Sequence, residues 1–311
     1  MKKICAFAPA TIANLSVGFD VLGIALDSLG DQVELTINGT VNNKIIEIIN
    51  GNNLPIDIQK NCCSVVIRKM QEHLKSFQGV NIRILKGFKS GSGLGSSSAS
   101  SAASVYAYNT LMGNPFTEQE LIAFAAEGER IACGSAHADN VAPSIIGGLV
   151  LIRSHNPVDV IRLPIPDHLH AVLLFPDVKI NTSDSREVMQ KNISLETACG
   201  QWANLGAFVA SLYQNDLKLL TRSMQDLVVE PIRSLFIPKF QELKNAALNN
   251  GALGFGISGS GPSVFAIAAG RVEAEMIEKA MCIEFEDTSI EIMSFVESLN
   301  GNHGCRIVES F

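Results

Sequence analysis

Gly87-Phe-Lys-Ser-Gly91-Ser-Gly93-Leu-Gly95-Ser96-Ser97-Ser98-Ala99-Ser-Ser-Ala-Ala-Ser104 is a glycine turn that runs straight into small residues able to open a helix. Glycines at alternate positions 91, 93 and 95 let the backbone curl with positive φ and approach a ligand closely. Behind them a helix N-terminus would present unpaired N–H groups and the positive end of its dipole. Ser96, Ser97 and Ser98 add hydroxyls suited to capping the helix, holding phosphate oxygens or binding a metal ion. A flexible Gly/Ser linker has a similar composition. A linker would not continue into Ala99, Ala102, Ala103, Val105, Tyr106 and Leu111 and then stop at Gly113, a fitting C-cap. The stretch reads as a grip for a polyphosphate.

Composition bounds the rest. The 311 residues are enough for two domains with a well-buried core, and 47% hydrophobic against 18% charged excludes a disordered chain. A net charge of −7 argues against nonspecific binding to nucleic acid or a membrane surface. Cysteines 5, 62, 63, 133, 199, 282 and 305 form no CxxC pair, so neither a zinc site nor a disulfide framework is expected. The N-terminal apolar run is too short for a signal peptide. The uncharged run Gly251 to Gly270 carries six glycines and a proline and reads as strand–turn–strand, not as a membrane helix. A cytoplasmic protein is expected.

Along the chain, strands are expected at Ile4–Ala8, Val33–Ile37, Ile45–Ile49 and Val80–Leu85, with a helix over Cys63–Lys75. The glycine loop thus sits at a strand-to-helix junction. Thr117-Glu-Gln-Glu120 is a capping box that should start a helix running to about Cys133. A short helix over Asn140–Ile146 and a strand over Leu149–Ile152 follow. Prolines 157, 164 and 166 weaken the pattern, which puts a domain boundary near 160 and gives domains 1–160 and 161–311. Beyond it, strands are expected at Ala171–Phe175, Leu253–Gly256, Ser263–Ala268 and Cys305–Val308, and helices over 195–213, 216–229, 239–249 and 272–282. Strands mixed with segregated helices make the fold α+β.

Four further clusters carry polar groups. Asn14, Ser16 and Asp20 punctuate the apolar segment Ala8–Gly23. Glu129 lies in the last turn of its helix, where the dipole disfavours an anion, so it is best placed facing a cation. It precedes His137-Ala-Asp139-Asn140. Asn181-Thr182-Ser-Asp-Ser-Arg186 and Glu230-Pro-Ile-Arg233 each offer an arginine suited to fork-like recognition of carboxylate or phosphate. Gly254-Phe-Gly256-Ile-Ser-Gly259 fits GxGxxG, but a strand follows where a dinucleotide fold needs a helix. It reads instead as a tight turn that brings backbone N–H groups near a ligand. The chain has no Gly-Lys pair for a Walker loop and no GxSxG elbow.

Three of these segments, in order, resemble the motifs of the GHMP small-molecule kinases: Ala8-Pro-Ala-Thr-Ile-Ala-Asn-Leu-Ser-Val-Gly-Phe-Asp20, Gly91-Ser-Gly-Leu-Gly95-Ser-Ser-Ser98 and Gly256-Ile-Ser-Gly-Ser-Gly-Pro262. His137-Ala-Asp-Asn-Val-Ala-Pro143 is similar to the branch of that family that acts on homoserine. The resemblance spans essentially the whole chain. It implies an N-terminal domain like the second domain of ribosomal protein S5, a ferredoxin-like C-terminal domain, and a cleft between them. It implies ATP with Mg²⁺, phosphorylation of the L-homoserine hydroxyl on the way to threonine, and a homodimer.

Carried onto this chain, the resemblance assigns the triphosphate to Lys89, Ser90, Gly91, Ser92, Gly93, Leu94, Gly95, Ser96, Ser97, Ser98 and Ala99. It assigns Mg²⁺ to Ser97 and Glu129. Asn14, Asp20, His137, Asp139, Asn140, Arg186, Arg233 and Gly259 would surround homoserine, with Thr182 near the transferring phosphate. Ser98, where many relatives have alanine, and Phe88-Lys89, where a proline often precedes the loop, depart from the pattern without removing a required group. Many relatives use an aspartate base; Asn140 suggests that role is lost here, so the hydroxyl proton is expected to pass to the phosphate, with Asp139 as the rival base. A mevalonate- or sugar-type kinase and a non-catalytic nucleotide-binding protein are the competing readings. The two arginines and Asp20 suit a zwitterionic substrate better than mevalonate or galactose, which lack an ammonium group.

Overall fold

The computed structural model describes all residues except 1, 52–53, 77, 135–137, 179–187, 190–191, 301–302 and 311. In chain order its first half runs β1 (Lys3–Ala13), β2 (Leu22–Ile37), β3 (Lys44–Ile49), α1 (Cys62–Leu74), β4 (Val80–Leu85), α2 (Ser96–Leu111), α3 (Glu118–Cys133), α4 (Ala138–Ile146), β5 (Leu149–His155) and β6 (Val158–Leu163). The second half runs β7 (His170–Pro176), α5 (Leu195–Gln214), α6 (Leu217–Ser223), α7 (Glu230–Arg233), α8 (Phe240–Asn249), β8 (Gly254–Ile257), β9 (Val264–Ala268), α9 (Arg271–Ile283), β10 (Ile292–Ser298) and β11 (Arg306–Ser310). Among the described residues, no helix is long and apolar enough to cross a membrane.

The larger sheet has seven strands in the order β11-β1-β2-β4-β3, with β5 on β2 and β6 on β5. Its spine is the 16-residue β2, which pairs with β4 through Gln32–Ile37 and with β5 through Leu22–Ile24. Expecting β1 to stop at Ala8 underrated it. The strand continues through Pro9, which lacks an N–H, because the β1–β2 register shifts between Pro9 and Thr11. Four helices cover this sheet, and α2 lies at their centre with 13 of its 16 residues buried. Its run of serine and alanine makes that possible, because small side chains let β1, α1, α3 and α4 all approach it.

The smaller sheet has the order β10-β7-β9-β8, every pair antiparallel. Numbered within this half, the strands lie 4-1-3-2, the arrangement of the ferredoxin-like β-α-β-β-α-β unit. Its strands alternate between two cores. Ala171, Leu173, Phe265 and Ile267 join the large core shared with the first half, while Val172, Leu174, Val264 and Ala266 pack under α8 and α9.

The expected boundary at 160 falls inside β6, which is hydrogen-bonded to β5 in the larger sheet, and β11 also returns to that sheet beside β1. The helix expected over 216–229 ends at Ser223. The Asp226 carboxylate accepts from the backbone N–H groups of Val228, Val229 and Glu230 at 2.9, 2.9 and 3.0 Å and turns the chain into α7 instead.

Candidate active site

A cleft of about 640 Å³ opens where the loop after β4 meets the turn between β8 and β9. Gly91, Gly93 and Gly95 all have positive φ (78°, 84° and 69°), as the sequence pattern requires. Two of them also have no room for a side chain. A Cβ on Gly93 would lie 2.7 Å from the Ser258 carbonyl oxygen, and one on Gly95 would lie 2.4 Å from Thr11 Oγ1.

The serines do not cap α2. Its N-cap is Gly95, with no side-chain hydrogen bond, so the N-terminal N–H groups are left to a ligand. Ser90, Gly91, Gly93, Gly95, Ser96 and Ser97 line the cleft. Ser92, Leu94, Ser98 and Ala99 are buried outside its lining and serve packing. Lys89 instead pairs with Asp177 at 2.6 Å, across to the end of β7. Ser97 and Glu129, a buried carboxylate on α3, share the cleft wall.

The second wall comes from the β8–β9 turn. Ser258 Oγ donates to the Gly93 carbonyl at 2.8 Å, so turn and loop are held together. Gly259 O accepts from Asn14 Nδ2 at 2.9 Å and from an Arg233 guanidinium nitrogen at 2.8 Å. Arg233, buried on α7, also stacks 5.1 Å from the Phe19 ring. Asn14, Leu15 and Ser16 form a left-handed run (φ 72°, 44° and 65°), and Asn14 Oδ1 accepts from the Asp20 N–H at 3.1 Å. The segment Asn14–Asp20, the turn at Gly259 and α7 are thus one unit. Beside Arg233, burial raises the Glu230 carboxyl, and its ion pair with Lys244 opposes that rise.

Asn140, at the start of α4, faces the cleft and accepts from Thr11 Oγ1 at 2.8 Å. Asp139 is buried, outside the cleft lining, and its Oδ1 accepts from the Asn140 N–H at 3.1 Å. His137, Thr182 and Arg186 lie outside the described residues. Sequence reasoning passed over Thr11, which is fully buried between the loop and α4, and Lys86, which lines the cleft and pairs with buried Asp31. The signal for Lys86 was its place, a lone cation between an apolar strand and the glycine loop.

A model for the GHMP kinases N terminal domain matches residues 61–148, and one for the GHMP kinases C terminal matches residues 208–287. The chain belongs to the GHMP kinase family. A homoserine kinase of Chloroherpeton thalassium is 43% identical over 300 residues, spanning 93% of this GHMP kinase and 94% of that protein. One from Chlorobaculum tepidum is 44% identical over 292 residues, 90% of each chain. The crystal structure of homoserine kinase from Cytophaga hutchinsonii superposes with a TM-score of 0.95 at 46% identity, covering 98% of this chain and 97% of that one. The two-domain fold expected for a GHMP kinase is the fold observed.

Proposed function

We propose that this GHMP kinase transfers the γ-phosphoryl group of ATP to the side-chain hydroxyl of L-homoserine, giving O-phospho-L-homoserine for threonine biosynthesis. One observation carries the reading: a glycine loop at an uncapped helix N-terminus shares a cleft with the Gly259 turn braced by Asn14 and Arg233. The loop suits a triphosphate, and the braced turn suits a small zwitterion. Arg233 and Arg186 would meet the carboxylate, and Asp20 or Asp139 the ammonium.

Ser97 and Glu129 suit Mg²⁺, which takes one or two protein oxygens and keeps phosphate and water for the rest. Among the described residues no cluster of three or more His, Cys, Asp or Glu competes for that role. When bound, the ion would neutralise phosphate charge as it builds up during transfer. We place the protein in the cytoplasm, where the free thiols of its described cysteines are stable, and expect a homodimer.

For the proton, α4 turns the amide Asn140 to the cleft, while the carboxylate in the cleft wall, Glu129, is the one suited to Mg²⁺. An amide cannot take up a proton, so the new O–P bond forms as the bond to ADP breaks and the hydroxyl proton ends on a phosphoryl oxygen. Positioning and charge neutralisation then do most of the work. Asp139→Asn should raise KM for homoserine about tenfold and leave kcat within about threefold, since a true general base contributes 10²–10⁴-fold. A collapse of kcat at saturating substrate, with the fold intact, would make Asp139 the base. ADP release with homoserine, mevalonate and galactose tests the substrate reading. Turnover with homoserine alone is expected, and turnover with either other alcohol in its place would overturn the reading.

A further inference from the structure

Asp31 and Lys86 meet in the interior through strand register. Gln32 of β2 pairs with Leu85 of β4, and one step further the antiparallel ladder sets Asp31 against Lys86. Both side chains are almost completely buried and form an ion pair. Lys86 Nζ also donates to the Ser96 carbonyl at 2.9 Å and to Ser100 Oγ at 2.8 Å, so its three N–H bonds are all used. Asp31 accepts from Ser100 Oγ at 2.7 Å and from the Gly87 N–H at 3.1 Å. Gly87 reaches that carboxylate only because it has no side chain, since a Cβ there would lie 1.9 Å from the Gly30 carbonyl oxygen.

These bonds converge on two places: Gly87, where the glycine loop begins, and the first turn of α2, where it ends. Between them the backbone holds three left-handed glycines, a conformation with a high entropic cost. A buried ion pair is a poor source of stability, because desolvation offsets the attraction. What it supplies here is geometry.

We infer that Asp31 and Lys86 are positioning residues that staple the two ends of the phosphate loop and so set affinity for the nucleoside triphosphate. The inference rests on the loop binding the nucleotide. Loss of the staple lets the loop sample conformations that do not bind, and apparent affinity falls by the fraction of competent loop. The homoserine side keeps its own braces, Asn14 and Arg233 on the Gly259 carbonyl, and should be affected far less.

The test compares Lys86→Met with the double variant Asp31→Asn/Lys86→Met, using a fluorescent mant-ADP titration with Mg²⁺, thermal melts and steady-state kinetics. Lys86→Met strands a buried carboxylate and should melt well below the parent, while the neutral pair should recover most of that loss. Nucleotide binding should not recover. In the double variant Kd for mant-ADP and KM for ATP should stay raised about tenfold, the size of one lost charge-assisted hydrogen bond, with KM for homoserine within about twofold. Parent-like mant-ADP affinity in the double variant, or an equal rise in both KM values, would reduce the pair to a structural role. Should the double variant not fold, Ser100→Ala removes the hydroxyl bonded to both Lys86 and Asp31 with little change of volume, and parent-like mant-ADP affinity there would likewise overturn the staple. A parent enzyme without saturable mant-ADP binding would overturn the nucleotide assignment of the loop instead.

Discussion

At the scale of single residues, Cys62 is the thiol to watch. It opens α1 behind the N-cap Asn61 and is half-buried in the cleft wall, its Sγ 3.9 Å from the Ser97 carbonyl oxygen. The neighbouring Cys63 side chain draws its pKa below the ordinary thiol value. Lys86 from the end of β4 and Ser101 from α2 add to that pull, against burial and Glu129 from α3. Cys63 goes the other way, well above the ordinary value. Cys5 is pushed up to about 11, mainly by burial. The thiolate is the reactive form, so a lowered pKa means a larger reactive fraction at neutral pH. Iodoacetamide at pH 7 should therefore label Cys62 ahead of Cys5, with the rate levelling off below the pH that an ordinary thiol needs. MgATP should slow it by filling the cleft. Peptide mass spectrometry reads this directly; Cys62 labelling no faster than Cys5, or at the same rate with MgATP, would contradict it.

At the scale of elements, the sequence was most readable where the determinants are local. The span of β4 follows from Val80, Ile82 and Ile84 pointing inward between Asn81 and Arg83. The start of α3 follows from a capping box whose two reciprocal bonds both form. The phosphate loop is local too, with its glycines and helix start in one segment. By contrast, β10 went unrecognised because its buried polar residue inverts the pattern. Glu297 turns inward to accept the backbone N–H groups of Asp27 and Ser28 from β2, a partner 270 residues away for Asp27. The same reason hid half of the site. Thr11 and Asn140 are 129 positions apart, and Asp31 and Lys86 are 55 apart. Such pairs exist only once β1, β2 and β4 lie side by side. The helix expected to run to 229 was lost to Asp226, whose role as a turn depends on three backbone N–H groups arriving together.

At the scale of the whole molecule, one core runs through both halves, from Ile4 on β1 to Leu299 beyond β10, so the two sheets share packed apolar side chains. Among the described residues, the long helix α5 is left with an uncovered apolar face. α5 has 20 residues, of which Glu196 alone is charged, and only Ala198, Phe208, Ser211 and Leu212 are buried. Leu195, Cys199, Trp202, Gly206 and Tyr213 lie on its exposed side, at intervals of four, three, four and seven, the spacing of a helix–helix seam. An uncharged seam with a glycine in its middle lets a second helix come close without stranding a charge, and a two-fold axis brings the same helix of another copy. If the proposed homodimer forms, α5 is the face through which it is expected to form. Trp202 is the chain's one tryptophan, so its emission reports on this face alone. Light scattering should give twice 33.4 kDa, with Trp202 emission shifting to the red on dilution as the 62% of its surface exposed in the protomer returns to water. Tyr213→Glu should give a single-chain mass and the red-shifted emission at all concentrations. A dimer that survives Tyr213→Glu, with emission indifferent to dilution, would move the interface to another face.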